Sequence, residues 1–399
     1  MDKSKFDYDG VIVFGSADWW VHNRGHYDMQ FAKNFSQSVP VLYINSTGMR
    51  MPSLISGDGT LKRISRKLKS LFKGCVKFYD NFFVATPLAV PGKVGYFLTS
   101  WAVPIMIKIW ARSIGIKKPL FWVASPMAYQ WKALFGNSPV VYQRTDFYEH
   151  FPEVDFEQIK SFDLGLKKRS DLVLYCSHYI MNESIDTDYQ SKCRFIDHGV
   201  DFEMFRSAGD SVKSLPELAN IKRPIAGFIG ALEADVVDAQ LIIETAKSNP
   251  EITFLLVGKS TFDSRIFTLD NIVMTGQVDY PQVPAYMAYC DILLMPWNDN
   301  EWIKACNPIK LKEYLAIGRP IVSSYFPELD YYEELVFIPD SHKSFSELVR
   351  EVSINGFPPS LNEKMRARVS SHTWTNKLDQ AEKELSMLGY VKCSNNEKI

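Results

Sequence analysis

Asn307-Pro308-Ile309-Lys310-Leu311-Lys312-Glu313-Tyr314-Leu315-Ala316-Ile317-Gly318-Arg319-Pro320-Ile321-Val322-Ser323-Ser324 is the stretch from which the rest of this chain is best read. Asn307 belongs to the residue types that cap helix N-termini, and Pro308 suits the first helical position, where its missing N–H costs nothing. Leu311, Tyr314 and Leu315 recur at three and four residues and give the helix one apolar face. Gly318 supplies a C-terminal cap and Pro320 forbids continuation, so Ile321-Val322 opens a strand. Away from the apolar face, Lys310 and Glu313 stand one turn apart near the helix start. A cation there, beside unpaired backbone N–H groups, can hold a phosphate, and the carboxylate can accept hydrogen bonds from sugar hydroxyls. The same spacing fits an ordinary amphipathic helix with an i,i+3 ion pair, so the preceding segments carry the decision.

Those segments are Val273-Met274-Thr275-Gly276-Gln277-Val278, then Val283-Pro284-Ala285-Tyr286-Met287, then Cys290-Asp291-Ile292-Leu293-Leu294-Met295-Pro296-Trp297. In this order, strand, short helix, strand and loop lead into the 307–324 helix, and the whole resembles the nucleotide-sugar site of GT-B glycosyltransferases. There a Lys near the helix start meets the diphosphate and a following Glu meets the ribose. The resemblance implies a donor site built from Gly230, Gln277, Trp297, Pro308, Lys310 and Glu313. It also implies the fold: α/β, two Rossmann-like doubly wound domains facing a central cleft, with a C-terminal helix crossing back to the first domain.

Composition agrees with two domains, since 399 residues at 46% hydrophobic can bury a large core. A net charge of -1 argues against a nucleic-acid partner. The six cysteines form no Cys-x-x-Cys pair, so neither zinc nor a disulfide framework is indicated, and a cytoplasmic setting is expected. The N-terminus lacks the pattern of a signal peptide. Val94 to Ile107 is the longest apolar tract, yet it holds Pro104 and stops at Lys108, too short to span a bilayer.

Gly10 to Gly15 reads as a buried parallel strand, and the loop after it carries Trp19, His22, Arg24 and His26 toward the crevice at the strand's carboxyl end. They are candidates for contact with an acceptor or with phosphate, His198 being added further on; solvated helix-start residues are the plainer alternative. Lys62 to Lys73 reads as a basic amphipathic helix suited to an anionic membrane surface, with Arg63, Arg66, Lys67, Lys69 and Lys73 as its contacts. Phe82-Phe83, Trp101, Trp110 and Trp122 follow, interleaved with cations, as aromatics of an interface.

Pro139 to Tyr142 reads as a strand running into Gln143-Arg144-Thr145-Asp146, which sets Asp146 just past a carboxyl end, where a catalytic carboxylate would face the crevice. A helix N-cap is the alternative. The tract Val141 to Asp146 is similar to the corresponding segment of xanthan-pathway glucuronosyltransferases, membrane-associated GT-B enzymes whose Asp there is the general base; enzymes of the teichuronic-acid type carry a looser pattern of the same kind. Phe195-Ile196-Asp197-His198-Gly199-Val200-Asp201 matches the GT-B turn that closes the first domain, and Ser371-His372-Thr373-Trp374 the lead into the last helix. Asp186-Thr187-Asp188 sits in a polar connection and reads as surface, so no metal site is expected. The domains expected are 1–206, a linker at 207–223, 224–372, and a crossover helix with polar tail at 373–399.

Two features depart from the retaining GT-B pattern. Glu233, Ala234 and Asp235 stand where a phosphate-binding Lys or Arg usually follows the Gly230 turn, and Ala305 stands where a Glu usually precedes the one matched by Glu313. With Asp146, this favours an inverting, metal-independent transfer, a retaining one being the alternative. The reaction expected moves a sugar from a UDP-sugar to a lipid-linked saccharide at the cytoplasmic membrane face, in cell-surface polysaccharide assembly, with no cofactor beyond the donor itself and with polysaccharide assembly proteins as partners. A UDP-sugar 2-epimerase and a catalytically silent scaffold of an assembly complex are the other readings.

Overall fold

A computed structural model describes residues 6–20, 25–47, 74–87, 93–263 and 265–393, with the backbone alone at 93–98. The chain divides into two units, Met1–Asp197 with Lys377–Ile399, and His198–Asn376.

The first unit is built on an eight-stranded sheet of order β4-β5-β3-β2-β6-β7-β8-β9. Its strands are β2 (Gly10–Phe14), β3 (Val41–Ile44), β4 (Cys75–Tyr79), β5 (Phe82–Ala85), β6 (Pro119–Val123), β7 (Val140–Arg144), β8 (Leu172–Tyr175) and β9 (Cys193–Phe195). All pair in parallel except β4, which runs antiparallel at the edge. The uninterrupted apolar runs of β2 and β3 are buried along their whole length, as strands covered on both faces must be. Two further strands, β1 (Phe6–Tyr8) and β15 (Tyr390–Lys392), pair in parallel, so the C-terminal segment is part of this unit. The chain order reverses between β2 and β6, which makes their carboxyl ends the switch point where ligands bind in open α/β sheets.

β5 and β6 fall at the two ends of the stretch that the sequence marks as interfacial aromatics. Phe82 lies in β5 and Trp122 in β6, and both are inaccessible, so these two rings belong to the core rather than to an interface. The basic stretch 62–73, with Arg63, Arg66, Lys67, Lys69 and Lys73, lies outside the described residues. Lys93–Ser113 is a single helix that continues through Pro104. Among the described residues, no helix is long and apolar enough to cross a membrane.

The second unit carries a five-stranded parallel sheet of order β12-β11-β10-β13-β14. These are β10 (Ile225–Ile229), β11 (Thr253–Val257), β12 (Ile272–Gly276), β13 (Ile292–Met295) and β14 (Ile321–Ser323). Its switch point lies between β10 and β13, at Ile229 and Met295. The turns beyond β10 and β11 crowd together there: Gly258, at φ 149°, leaves no space for a side chain beside the Gly230 carbonyl. The helix Phe202–Asp210 lies in this unit with Phe205 in its core, so the chain enters the unit at His198, upstream of the stretch 207–223 read as a linker.

The helix that organised the sequence reading runs Ile309–Ile317 and ends on Gly318 at φ 76°, as expected. Its start differs. Pro308, with ψ 133°, is the capping residue, while Asn307 is buried and its amide donates to Glu328 Oε1 at 3.2 Å instead of capping. Nor is the helix amphipathic: every residue from Leu311 to Ile317 is buried, because helices Phe202–Asp210, Val283–Tyr289 and Pro359–Val369 all pack on it. That enclosure fixes its N-terminal turn against the sheet.

Candidate donor and acceptor sites

In the second unit, Tyr314 binds the helix to the switch point. Its hydroxyl accepts from the Ile229 N–H at 3.0 Å and donates to the Leu294 carbonyl at 3.4 Å, touching β10 and β13 together. One turn earlier, the Lys310 ammonium donates to the Ile229 carbonyl and lies 5.0 Å from the centre of the Phe228 ring. Burial pulls its pKa down to about 8, against the opposing pull of Glu313. The ammonium fits because residue 230 is glycine: a Cβ there would overlap it, and the Gly230 N–H is held by the Val257 carbonyl at 2.8 Å. Glu313 is buried, which pushes its carboxyl upward, while Lys310 and the Tyr280 hydroxyl pull it back. Lys310, Glu313 and Gly230 are therefore gathered at one strand end, a cation and a carboxylate beside a glycine turn, and this set can hold a diphosphate and a ribose.

Other expected donor contacts are placed differently. Gln277 is exposed just beyond β12, and Pro308 is half-buried ahead of the helix. Trp297 is a packing residue: it is 7% exposed and stacks on Phe326 with ring centres 5.2 Å apart. The cation-free loop after Gly230 is tied to the loop after β13, Asn298 donating to the Ala234 carbonyl and Asn300 to the Asp235 carbonyl, each at 2.9 Å. Tyr280 had no sequence signal, being separated from Glu313 by 33 residues.

In the first unit, the turn after β2 and the start of helix Tyr27–Phe35 converge on Asp28, which is fully buried. Asp28 Oδ1 lies 2.6 Å from His26 Nδ1, and Oδ2 accepts from the Ser16 N–H at 2.6 Å and the Tyr43 hydroxyl at 3.0 Å. Burial would raise the Asp28 carboxyl, yet His26 and these donors hold it below the usual range; burial would lower the His26 imidazole, yet Asp28 and then Asp146 hold it above. Sequence reasoning missed Asp28, whose place in the helix gave no sign of a buried charge.

Asp146 stands immediately beyond β7, half-buried, with Thr145 Oγ1 donating to its Oδ2 at 3.2 Å. It caps no helix: the following turn, Tyr148–His150, begins after Phe147 and has no side-chain cap. The segment is clamped on both sides by Arg144, whose buried guanidinium pairs with Asp163 at 2.8 Å and with Glu149 at 3.1 Å. Tyr148 donates to the Ala124 carbonyl at 3.0 Å and contacts the Tyr27 hydroxyl at 3.1 Å, linking this turn to the ends of β6 and of the β2 loop.

Of the remaining candidates, Trp19 is core, packed on Phe82 with ring centres 4.7 Å apart and 2% exposed, which leaves no face for an acceptor. His198 is buried in the second unit, near Trp374. His22 and Arg24 lie outside the described residues. Trp101 is 54% exposed and shares its side of helix Lys93–Ser113 with exposed Ile105 and Ile109.

Residues 223–353 match the family "Glycosyl transferases group 1". The chain is 28% identical over 240 residues to the "Putative teichuronic acid biosynthesis glycosyltransferase TuaH" of Bacillus subtilis (strain 168), a match covering 56% of this chain and 60% of that relative. Among solved structures it is similar to sucrose-phosphate synthase from Thermosynechococcus elongatus, with TM-score 0.70 and 14% identity over 95% of this chain and 99% of the other. It is likewise similar to HepE of Anabaena in complex with UDP and glucose, with TM-score 0.65, 14% identity and the same coverage. The fold is GT-B, and the chain resembles the GT-B glycosyltransferases of bacterial polysaccharide biosynthesis.

Proposed function

We propose that this protein transfers a sugar from a UDP-sugar to a lipid-linked saccharide in bacterial cell-surface polysaccharide assembly. The observation that carries the reading is the placement of Lys310, Gly230 and Glu313 at the β10 end of the second unit's switch point, inside the region that matches the glycosyltransferase family. HepE, of the same fold, binds UDP and glucose, which supports UDP as the nucleotide.

The chemistry asks for two things. The departing diphosphate must be stabilised, which Lys310 and the nearby helix amides supply without a metal, and the acceptor hydroxyl must lose its proton. Asp146 is the base in this reading, a carboxylate at the end of β7 held in place by the Arg144 clamp. The buried alanine at 305, where a retaining enzyme usually has Glu, supports inversion.

A peripheral position at the inner membrane face is supported by helix Lys93–Ser113, where Trp101, Ile105 and Ile109 are exposed beside exposed Lys108 and Arg112, and which contains no acidic residue. A screen of UDP-sugars for UDP release tests the donor assignment. One donor turned over is expected; tight UDP binding with no donor consumed by any lipid extract would point to the scaffold reading instead.

A further inference from the structure

We infer that Tyr280 is a positioning residue of the donor site, holding Glu313 so that one carboxylate oxygen remains aimed at the ribose hydroxyls. This rests on the reading that Glu313 takes the ribose. The Tyr280 hydroxyl donates to Glu313 Oε1 at 3.1 Å, and among the described residues it is the one side chain hydrogen-bonded to that carboxylate. Oε2 is left for a ligand. Tyr280 is itself fixed: it opens the turn Tyr280–Gln282, which Asp279 and Gln282 close as a reciprocal capping box, and its ring meets Phe205 edge-on at 6.3 Å.

A buried carboxylate needs such a partner. Burial favours its protonated form, and a carboxylic acid would present a proton where the ribose needs an acceptor. Among the described residues, the charged and titratable groups around the pair are Lys310 and Tyr314 on the helix of Glu313, and Asp201, whose charge reaches Tyr280. Removing the Tyr280 hydroxyl should therefore free Glu313 to turn and to take up a proton at higher pH.

The test compares UDP with 2′,3′-dideoxy-UDP by calorimetry on the full-length parent, Tyr280→Phe and Glu313→Gln, across the acidic pH range. The parent should prefer UDP by about tenfold or more. Tyr280→Phe keeps the ring against Phe205, yet should lose most of that preference and should lose UDP affinity at a higher pH than the parent as the solution is acidified. Glu313→Gln, which has no proton to gain there, should show no such acid loss. If Tyr280→Phe retains both the preference and the parental pH profile, Tyr280 only packs and the inference is wrong. If the parent itself does not distinguish the two ligands, the ribose assignment of Glu313 fails first and the inference falls with it.

Discussion

Gly230 and Lys310 compete for one volume: the space a side chain at 230 would need is filled by the Lys310 ammonium as it donates to the Ile229 carbonyl. Because the overlapping atom is the end of a flexible side chain, Gly230→Ala should leave the fold intact and displace the ammonium. UDP affinity should drop by about 1.5–3 kcal/mol, the size of a lost charge-assisted contact. Lys310→Ala should cost a similar amount, and adding Gly230→Ala to it should cost little more. Full additivity in calorimetry would mean that the two do not share a site.

The Lys310 ammonium also sets an alkaline limit on donor binding. Its pKa, lowered to about 8 by burial, means that the cation is lost as pH rises through that value. A bound diphosphate favours the charged form, so UDP binding should weaken above pH about 8 and should take up protons there, visible as a dependence of the measured heat on buffer ionisation. Lys310→Arg keeps its charge and should bind without that proton uptake.

The His26–Asp28 pair makes a claim about stability. Asp28 has a depressed pKa, so its contribution is present above the ordinary carboxylate range and is lost as pH falls through its folded value. His26 has a raised pKa, so its contribution is present below its ordinary value and is lost as pH rises through its folded one. Stability from the pair should peak between those limits. Asp28→Asn should cost roughly 2–4 kcal/mol in denaturant unfolding near pH 6 and remove the alkaline fall; an unchanged pH profile would mean that the pair is not ionised.

The exposed row on helix Lys93–Ser113 predicts membrane binding. Replacing Trp101, Ile105 and Ile109 together with Ser should weaken co-sedimentation with phosphatidylglycerol vesicles roughly tenfold or more, and added salt should weaken the parent through Lys108 and Arg112. Equal sedimentation of parent and variant would exclude this face.

Much of the architecture was legible in the sequence because parallel strands covered on both faces announce themselves as apolar runs, as at Gly10–Phe14 and Ile292–Met295. Gly318 was legible for a similar reason, since few residues other than glycine adopt its φ readily. Aromatics were not. Trp19 and Trp297 follow strand ends just as ligand-binding residues do, and only the packing of Phe82 and Phe326 reveals them as core. Polar partnerships across long separations, such as Tyr280 with Glu313 or Asn307 with Glu328, leave no local pattern, which is why Asn307 reads as a cap in the sequence and is a buried donor in the fold.

Transfer itself is tested most directly by incubating UDP-sugars labelled in the sugar with the protein and a bacterial lipid extract, then following label and UDP together. Label should enter the lipid phase in step with free UDP, and Asp146→Asn should bind UDP like the parent while losing roughly 10²–10⁴ in turnover. Label that stays in the water phase on an isomerised donor, or no UDP release from any donor despite tight binding, would contradict transfer.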